Sequence, residues 1–153
     1  MLRKPIKISK NITVGPQVDA TELEALAGKG FKTIVNLCKK GEFEQKLSPE
    51  EEAEQAKAVG LNYVHLPVSV SNWKHDHFDT MMDELSGCEK PIYLHCLMGQ
   101  RSAPFGLLFY AIKKNLAPEQ LMSKAEKLGF DWNAPVLRTF IESYLHRRMK
   151  EAA

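Results

Sequence analysis

Apolar and polar positions follow two rhythms along this chain. Short runs rich in apolar and β-branched residues, FKTIVNLC (31–38), LNYVHLPV (61–68) and PIYLH (91–95), are too short for typical helices and read as buried strands, the second limited by Pro67. Capped helical segments separate them. Asp19 opens one, with Glu22 three residues on to complete a capping box and Gly28 and Gly30 to stop it. SPEE (48–51) opens another, with Ser48 as N-cap, Pro49 at the first helical position and Glu51 closing the box; Gly60 ends it. Phe78, Met81, Met82 and Leu85 recur at helical spacing and predict a helix over about 78–86, stopped by Gly87. SAPFGLLFYAIKKN follows PIYLH as an apolar helix with Lys113 and Lys114 in its last turn. Two further helices finish the chain, the last carrying a stripe from Val136 to Leu145 and an HRRMK end that reads as a solvated terminus.

Strands joined through helices should be parallel, which predicts an α/β fold with a mostly parallel central sheet flanked by helices, in a single domain over residues 1–153. The carboxyl ends of such strands share one edge, where ligands of open α/β sheets bind. Cys38 and Cys96 both end strands there.

Hydrophobic residues make up 44% and charged residues 26% of the chain, enough to bury a core and too balanced for a disordered segment. The net charge of +2, from 21 basic and 19 acidic residues, gives no general attraction to nucleic acid or an anionic membrane, and neither is expected as a partner. No stretch approaches the ~18 apolar residues of a membrane span, and the basic N-terminus has no signal-type apolar region. Three cysteines suit a reduced compartment better than a disulfide framework, so a cytoplasmic location is expected.

The chemistry concentrates in HCLMGQRS (95–102). Only a thiolate attacks, and a short loop leading into a helix N-terminus points unsatisfied N–H groups and the positive end of a dipole at its centre. Gly99 can take a positive φ and let such a loop curl. Arg101 adds a permanent charge and a planar fork that grips two oxygens of an anion. Ser102 can cap a helix beginning at Ala103, and its hydroxyl can reach the Cys96 sulfur and help it leave in a second step. Cys96 is therefore the candidate nucleophile. His95 either orients this loop or packs at the strand end.

Four stretches carry a family resemblance: ITVGPQV followed by a helix, GFKTIVNL, SPEEEAEQAKAVGLNYVHLPV and HCLMGQRSA. From about Ile12 to Leu116 the chain resembles the phosphatase-like domains of beta-lactamase hydrolase-like proteins, relatives of dual-specificity phosphatases. The resemblance implies a cysteine phosphatase fold with Cys96 as nucleophile. Arg101 and the amides of the loop Leu97, Met98, Gly99 and Gln100 then form the phosphate cradle. It also implies a protein or small-molecule phosphomonoester as substrate.

Two departures qualify that expectation. Four residues separate Cys96 from Arg101 where common tyrosine phosphatases have five, and Ser102 stands where their arginine would be. The shorter spacing recurs in the resembled family but is also typical of rhodanese sulfurtransferases, so a persulfide carrier is the alternative reading. Relatives fused to persulfide-oxidising enzymes point the same way.

Second, dual-specificity phosphatases place an aspartate acid just after the strand corresponding to LNYVHLPV, where this chain has Ser69, Val70, Ser71 and Asn72. Asp76 is the nearest carboxyl and a candidate acid, as are His75 and His77. Asp76 equally suits an N-cap with Asp79 three residues on. A phosphate-binding module without turnover is the third reading.

The histidines and cysteines show no metal-ligand spacing, so neither a metal nor a cofactor is expected. Trp73 can wall a pocket beside the loop or pack on the sheet. Cys88 and Cys96 flank an extended strand and stand roughly 25 Å apart, beyond the reach of about 7 Å that a disulfide allows. Cys38, on the same edge as Cys96, is a candidate resolving thiol. The uncharged Leu97, Met98 and Gln100 favour a simple monoester over a highly phosphorylated inositide. Oligomeric state is not legible.

Overall fold

The computed structural model describes residues 2–69, 73–132 and 135–152. In chain order its elements are β1 (Ile6–Ser9), β2 (Ile12–Gly15), α1 (Ala20–Gly28), β3 (Thr33–Asn36), α2 (Pro49–Ala58), β4 (Asn62–His65), α3 (His75–Gly87), β5 (Ile92–His95), α4 (Ser102–Lys114), α5 (Pro118–Lys127) and α6 (Pro135–Ala152). The five strands form one sheet in the order β1-β2-β5-β3-β4. β2, β5, β3 and β4 are parallel, and only β1, paired with β2, runs antiparallel at the edge. The mostly parallel α/β architecture is the expected one; the β1–β2 hairpin is an addition to it.

Side-chain alternation along the strands divides the core. Ile34 and Tyr93 face α1 and α2, joining Leu23, Leu26 and Ala56. Val35, Ile92 and Leu94 face the other way, into a larger cluster with Phe78, Met82, Phe105, Leu108, Ile141 and Tyr144 from α3, α4 and α6. Phe78 stands edge-on to both Phe105 and Tyr144, at 4.8 and 5.2 Å between ring centres, geometry that adds to plain area burial. α4 lies close on the sheet because Gly106 has no side chain: a Cβ there would come within 2.2 Å of Val14.

Both expected capping boxes are present. Asp19 accepts from the Glu22 amide at 2.8 Å and Ser48 from the Glu51 amide at 3.1 Å, while each glutamate reaches back to the cap residue's own N–H.

Three local expectations are corrected. α3 starts at His75, with Lys74 at its N-cap and no side-chain cap bond, so Asp76 lies inside the first turn and does not cap. Asp79 pairs instead with α6, accepting from the Tyr144 hydroxyl at 2.5 Å and from Arg147 and Arg148 at 3.0 and 3.3 Å. The basic end of α6 is thus tied to α3 rather than simply solvated. α4 starts at Ser102 with Arg101 at its N-cap, and Ser102 spends its hydroxyl on the Gly15 carbonyl at 2.8 Å rather than on a cap. Val70, Ser71 and Asn72, part of the stretch that stands where an aspartate acid would be, lie outside the described residues. No helix among the described residues is long and apolar enough to cross a membrane.

Candidate functional site

β5 is fully buried and hydrogen-bonded on both sides, Gly15 of β2 and Asn36 of β3 standing in register with His95. The next residue is Cys96, so the candidate nucleophile leaves the middle of the sheet at its carboxyl edge. Around it the chain turns tightly. The amides of Gly99, Arg101 and Ser102 point at Cys96 Sγ, at 3.0, 3.4 and 3.4 Å. Three donors around one sulfur favour negative charge there.

The loop is held open by contacts on its outside. The carbonyl of Leu97 accepts from the Gln17 amide at 3.0 Å and that of Met98 from the Leu2 amide at 2.8 Å. Because C=O and N–H of a trans peptide point in opposite directions, turning these carbonyls outward turns the Met98 and Gly99 amides inward. Gly99 has φ +84°, and a Cβ on it would lie 2.5 Å from the Leu2 side chain, so this position excludes other residues on two counts. Gly99 is buried, whereas Met98 and Gln100 are exposed.

Arg101, expected as the anion fork, is largely buried and already paired. Its Nη1 and Nη2 donate to the two oxygens of Glu42 at 2.8 and 2.6 Å, and Nη1 also donates to the Val68 carbonyl at 3.0 Å. Its Nε makes no hydrogen bond among the described residues, so the Nε edge, with the second Nη2 hydrogen, is the side available to an anion. Burial pushes the Glu42 carboxyl up, but the Arg101 hydrogen bonds and the Lys39 amide outweigh it and hold Glu42 below the usual carboxylate range. The same pairing raises Arg101 despite its burial.

The sulfur's other neighbour is Ser102, whose Oγ lies 3.7 Å from Cys96 Sγ. His95 sits beneath the loop, its Nε2 2.6 Å from Glu52 and its Nδ1 3.0 Å from the Cys96 carbonyl. Cys38 is buried at the end of β3 and its thiol is pushed up to about 12 by burial and by the Glu42 charge.

The sheet and helices that carry this loop can be compared with those of known proteins. Residues 6–117 match the family described as beta-lactamase hydrolase-like protein, phosphatase-like domain. The chain belongs to this family. The beta-lactamase hydrolase-like protein of Agrobacterium fabrum is 24% identical to this phosphatase-like domain over 128 residues, 84% of the chain and 30% of that protein. The protein of the same description from Xylella fastidiosa strain Temecula1 is 26% identical over 128 residues, 82% of the chain and 28% of that protein. The chain thus spans under a third of the length of either relative.

Solved structures share the fold of the domain at low identity. Tk-PTP in its active form superimposes with a TM-score of 0.75 at 18% identity, covering 97% of this chain and 99% of its own. PTPMT1 in complex with PI(5)P gives 0.78 at 12% identity, covering 97% and 99%. TpbA of P. aeruginosa gives 0.73 at 14% identity, covering 97% and 89%. Cysteine phosphatases therefore share the architecture of this phosphatase-like domain.

The domain has a groove of about 400 Å³ walled by Leu66, Pro67, Trp73, Phe78 and Met81, with Lys39 and His77 as its ionisable lining. Val68 belongs to both groove and Arg101 pocket. Trp73 walls this groove and also packs against the core, its ring 6.3 Å from that of Phe140, and gives its indole N–H to the Ser69 carbonyl at 3.0 Å. The three acid candidates separate: His75 packs edge-on against Phe140 and Tyr144, Asp76 is exposed and does not line the groove, and His77 does.

Sequence reading missed Glu42, Glu52, Gln17 and Leu2. Glu42 sits in a polar loop, KKGEFEQKL, where nothing marks one carboxylate from another. Glu52 does leave a trace: it falls on the face of α2 that Pro49 and Ala56 bury, a charge where the helical period calls for an apolar residue.

Proposed function

We propose that this domain is a cysteine-dependent phosphatase that hydrolyses phosphate monoesters through a phosphocysteine on Cys96. The observation that carries this reading is the convergence of the Gly99, Arg101 and Ser102 amides on Cys96 Sγ, beside an arginine with one guanidinium edge free. Inward amides that stabilise the sulfur anion are equally placed to stabilise phosphoryl oxygens as charge develops on them.

In the first step the Cys96 thiolate attacks phosphorus, the S–P bond forms and the bond from phosphorus to the leaving oxygen breaks. That oxygen takes a proton, for which His77 is our candidate because, alone among the three, it lines the groove that Val68 joins to Arg101. In the second step water attacks phosphorus and gives a proton back to His77, and the S–P electron pair returns to sulfur. Ser102 Oγ, 3.7 Å away, can then turn its hydrogen from Gly15 to the departing sulfur.

The groove fits a leaving group with a flat or apolar body, on a protein side chain or a small molecule. PTPMT1, solved with PI(5)P, supports a phosphorylated ligand for the fold. The uncharged Leu97, Met98 and Gln100 side chains favour a simple monoester over a highly phosphorylated one.

The four-residue spacing between Cys96 and Arg101 favours one second reading, a persulfide-carrying sulfurtransferase, because a smaller amide ring suits a single sulfur. Hydrolysis of an aryl phosphate by wild type and by Cys96→Ser tests the first reading: turnover in the wild type that vanishes in the folded variant is expected. A folded wild type without turnover, but with sulfur transfer from thiosulfate to cyanide, selects the second. Phosphate binding without either activity identifies a binding module.

A further inference from the structure

Gln17 touches both halves of the site and takes no part in the steps above. It lies in the three-residue connection between Gly15, the last residue of β2, and Asp19, the N-cap of α1. That connection is fixed along its length. The Gly15 carbonyl accepts from Ser102 Oγ at 2.8 Å, the Pro16 carbonyl accepts from the Tyr93 hydroxyl at 3.1 Å, and the Gln17 N–H donates to the Leu97 carbonyl of the cysteine loop at 3.0 Å. Pro16 adds a locked φ, and Val18 is buried. The side chain of Gln17 therefore projects from a base tied to β5 and to the loop that follows it.

That side chain reaches the loop at residues 39–46, which carries Glu42. Gln17 Nε2 donates to the Glu44 carbonyl at 3.0 Å, and its Oε1 accepts from the Lys46 N–H at 2.8 Å. Glu44 stands in the left-handed region at φ 61°, uncommon for a residue with a side chain, and Gln17 holds the carbonyl that this conformation presents. Other bonds of the loop are internal: Glu42 Oε2 accepts from the Lys39 N–H at 2.6 Å, and the Gln45 amide group joins the Gly41 N–H to the Lys39 carbonyl, each at 3.0 Å. These fix its shape but not its place. The ion pairs Lys40–Glu50 and Lys46–Glu22, at 3.0 and 4.0 Å, lie in solvent, where such pairs contribute little. Among the described residues, the Gln17 amide is thus the directional tether that sets this loop against the cysteine loop.

We propose that Gln17 is a positioning residue: it fixes the Glu42 loop relative to the Cys96 loop, and through Glu42 it sets where Arg101 presents its Nε edge to an anion. The route is short. Gln17 holds Glu44, two residues from Glu42, and Glu42 holds both terminal nitrogens of Arg101 at 2.8 and 2.6 Å, while the Gln17 N–H holds the loop that bears Cys96. A primary amide suits the task because it donates and accepts at once. A glutamate there would still accept from Lys46 but would set a carboxylate against the Glu44 carbonyl. The proposal rests on Cys96 and Arg101 as an anion site but not on the ester hydrolysed.

The test is a double-mutant cycle. Gln17→Ala removes both side-chain bonds and keeps the N–H to Leu97, and its kcat/KM for an aryl phosphate should fall about fivefold from lost orientation. In a Glu42→Gln background the same substitution should cost less than about twofold, because the route through Glu42 is already cut, whereas a general loosening of the fold would cost the same in both. Independently of activity, side-chain N–H resonances of Arg101 report rotation of the guanidinium: separate Nη signals in wild type should merge in Gln17→Ala, as in Glu42→Gln. Unchanged kcat/KM, equal losses in the two backgrounds, or unchanged Arg101 resonances overturn the proposal. Wild type without aryl phosphate turnover would overturn the proposed activity, and the Arg101 resonances alone then decide this assignment. If Gln17→Ala does not fold, Gln17→Glu replaces it in the same measurements. If neither folds, hydrogen exchange of the Lys46 amide in wild type decides: protection supports the tether, and exchange at the rate of an open chain overturns it.

Discussion

Glu42 grips Arg101 by both terminal nitrogens, at 2.8 and 2.6 Å, across 59 residues of sequence. The pair links the loop after β3 to the first residue before α4, and it decides which way the arginine presents itself. With a carboxylate bridging Nη1 and Nη2, the guanidinium cannot rotate freely, and its Nε edge is presented at little further entropic cost.

Glu42→Gln should therefore lower kcat/KM for an aryl phosphate by about tenfold through lost orientation, and lower stability at neutral pH by about 2 kcal/mol, as expected for charge-assisted hydrogen bonds. The pH dependence has a definite sign. Glu42 lies below its ordinary value in the folded protein, so the stability it contributes is fully present above the unfolded carboxyl value and is lost as pH falls through the lower folded one. Melting temperatures from neutral to acid pH should fall more steeply for wild type than for Glu42→Gln.

Cys38 should be inert where Cys96 reacts. Its thiol, pushed up to about 12, offers almost no thiolate at neutral pH. Brief iodoacetamide treatment of native protein, followed by peptide mapping, should label Cys96 and leave Cys38 free. Comparable labelling of both would show that the loop does not activate Cys96 over its neighbour.

Gly99→Ala should cost about 1–2 kcal/mol from its positive φ alone, more from the collision with Leu2, and should abolish most activity by closing the amide ring. Pairing it with Leu2→Ala removes the collision but not the backbone strain. Denaturant melts of the single and double variants should accordingly show partial recovery.

Ser102→Ala removes the hydrogen bond to the Gly15 carbonyl and leaves that acceptor short of a partner, for about 1–3 kcal/mol of stability. If the hydroxyl assists departure of sulfur, breakdown of the phosphocysteine slows more than its formation. Rapid mixing with an aryl phosphate should then show a burst of phenol equal to the enzyme concentration, followed by slow turnover.

What the sequence made legible follows from the range of each interaction. The capping residues Asp19 and Ser48 act within three positions of themselves, and their boxes formed as read. The strands FKTIVNLC and PIYLH declared themselves by composition, and with them the edge on which Cys96 emerges. Ser102 was read as a cap because only its neighbours were visible; its actual partner, Gly15, is 87 positions away. Asp76 and Asp79 were misread for the same reason, since Arg147 and Arg148 reach Asp79 only once α6 has docked. Glu42 and Glu52 depend wholly on tertiary folding: each becomes special when β3 and α2 bring it to the cysteine loop.

The position of β5 has a bearing on how the site behaves over time. Its four residues are buried and bonded to a parallel strand on each side, and the Cys96 loop begins at its last residue. Amide hydrogens of residues 92–95 should exchange with deuterium only through openings that approach global unfolding. Cys96 is thus anchored to the part of the molecule that opens last, and fluctuations at the periphery, in the edge strand β1, leave its footing undisturbed.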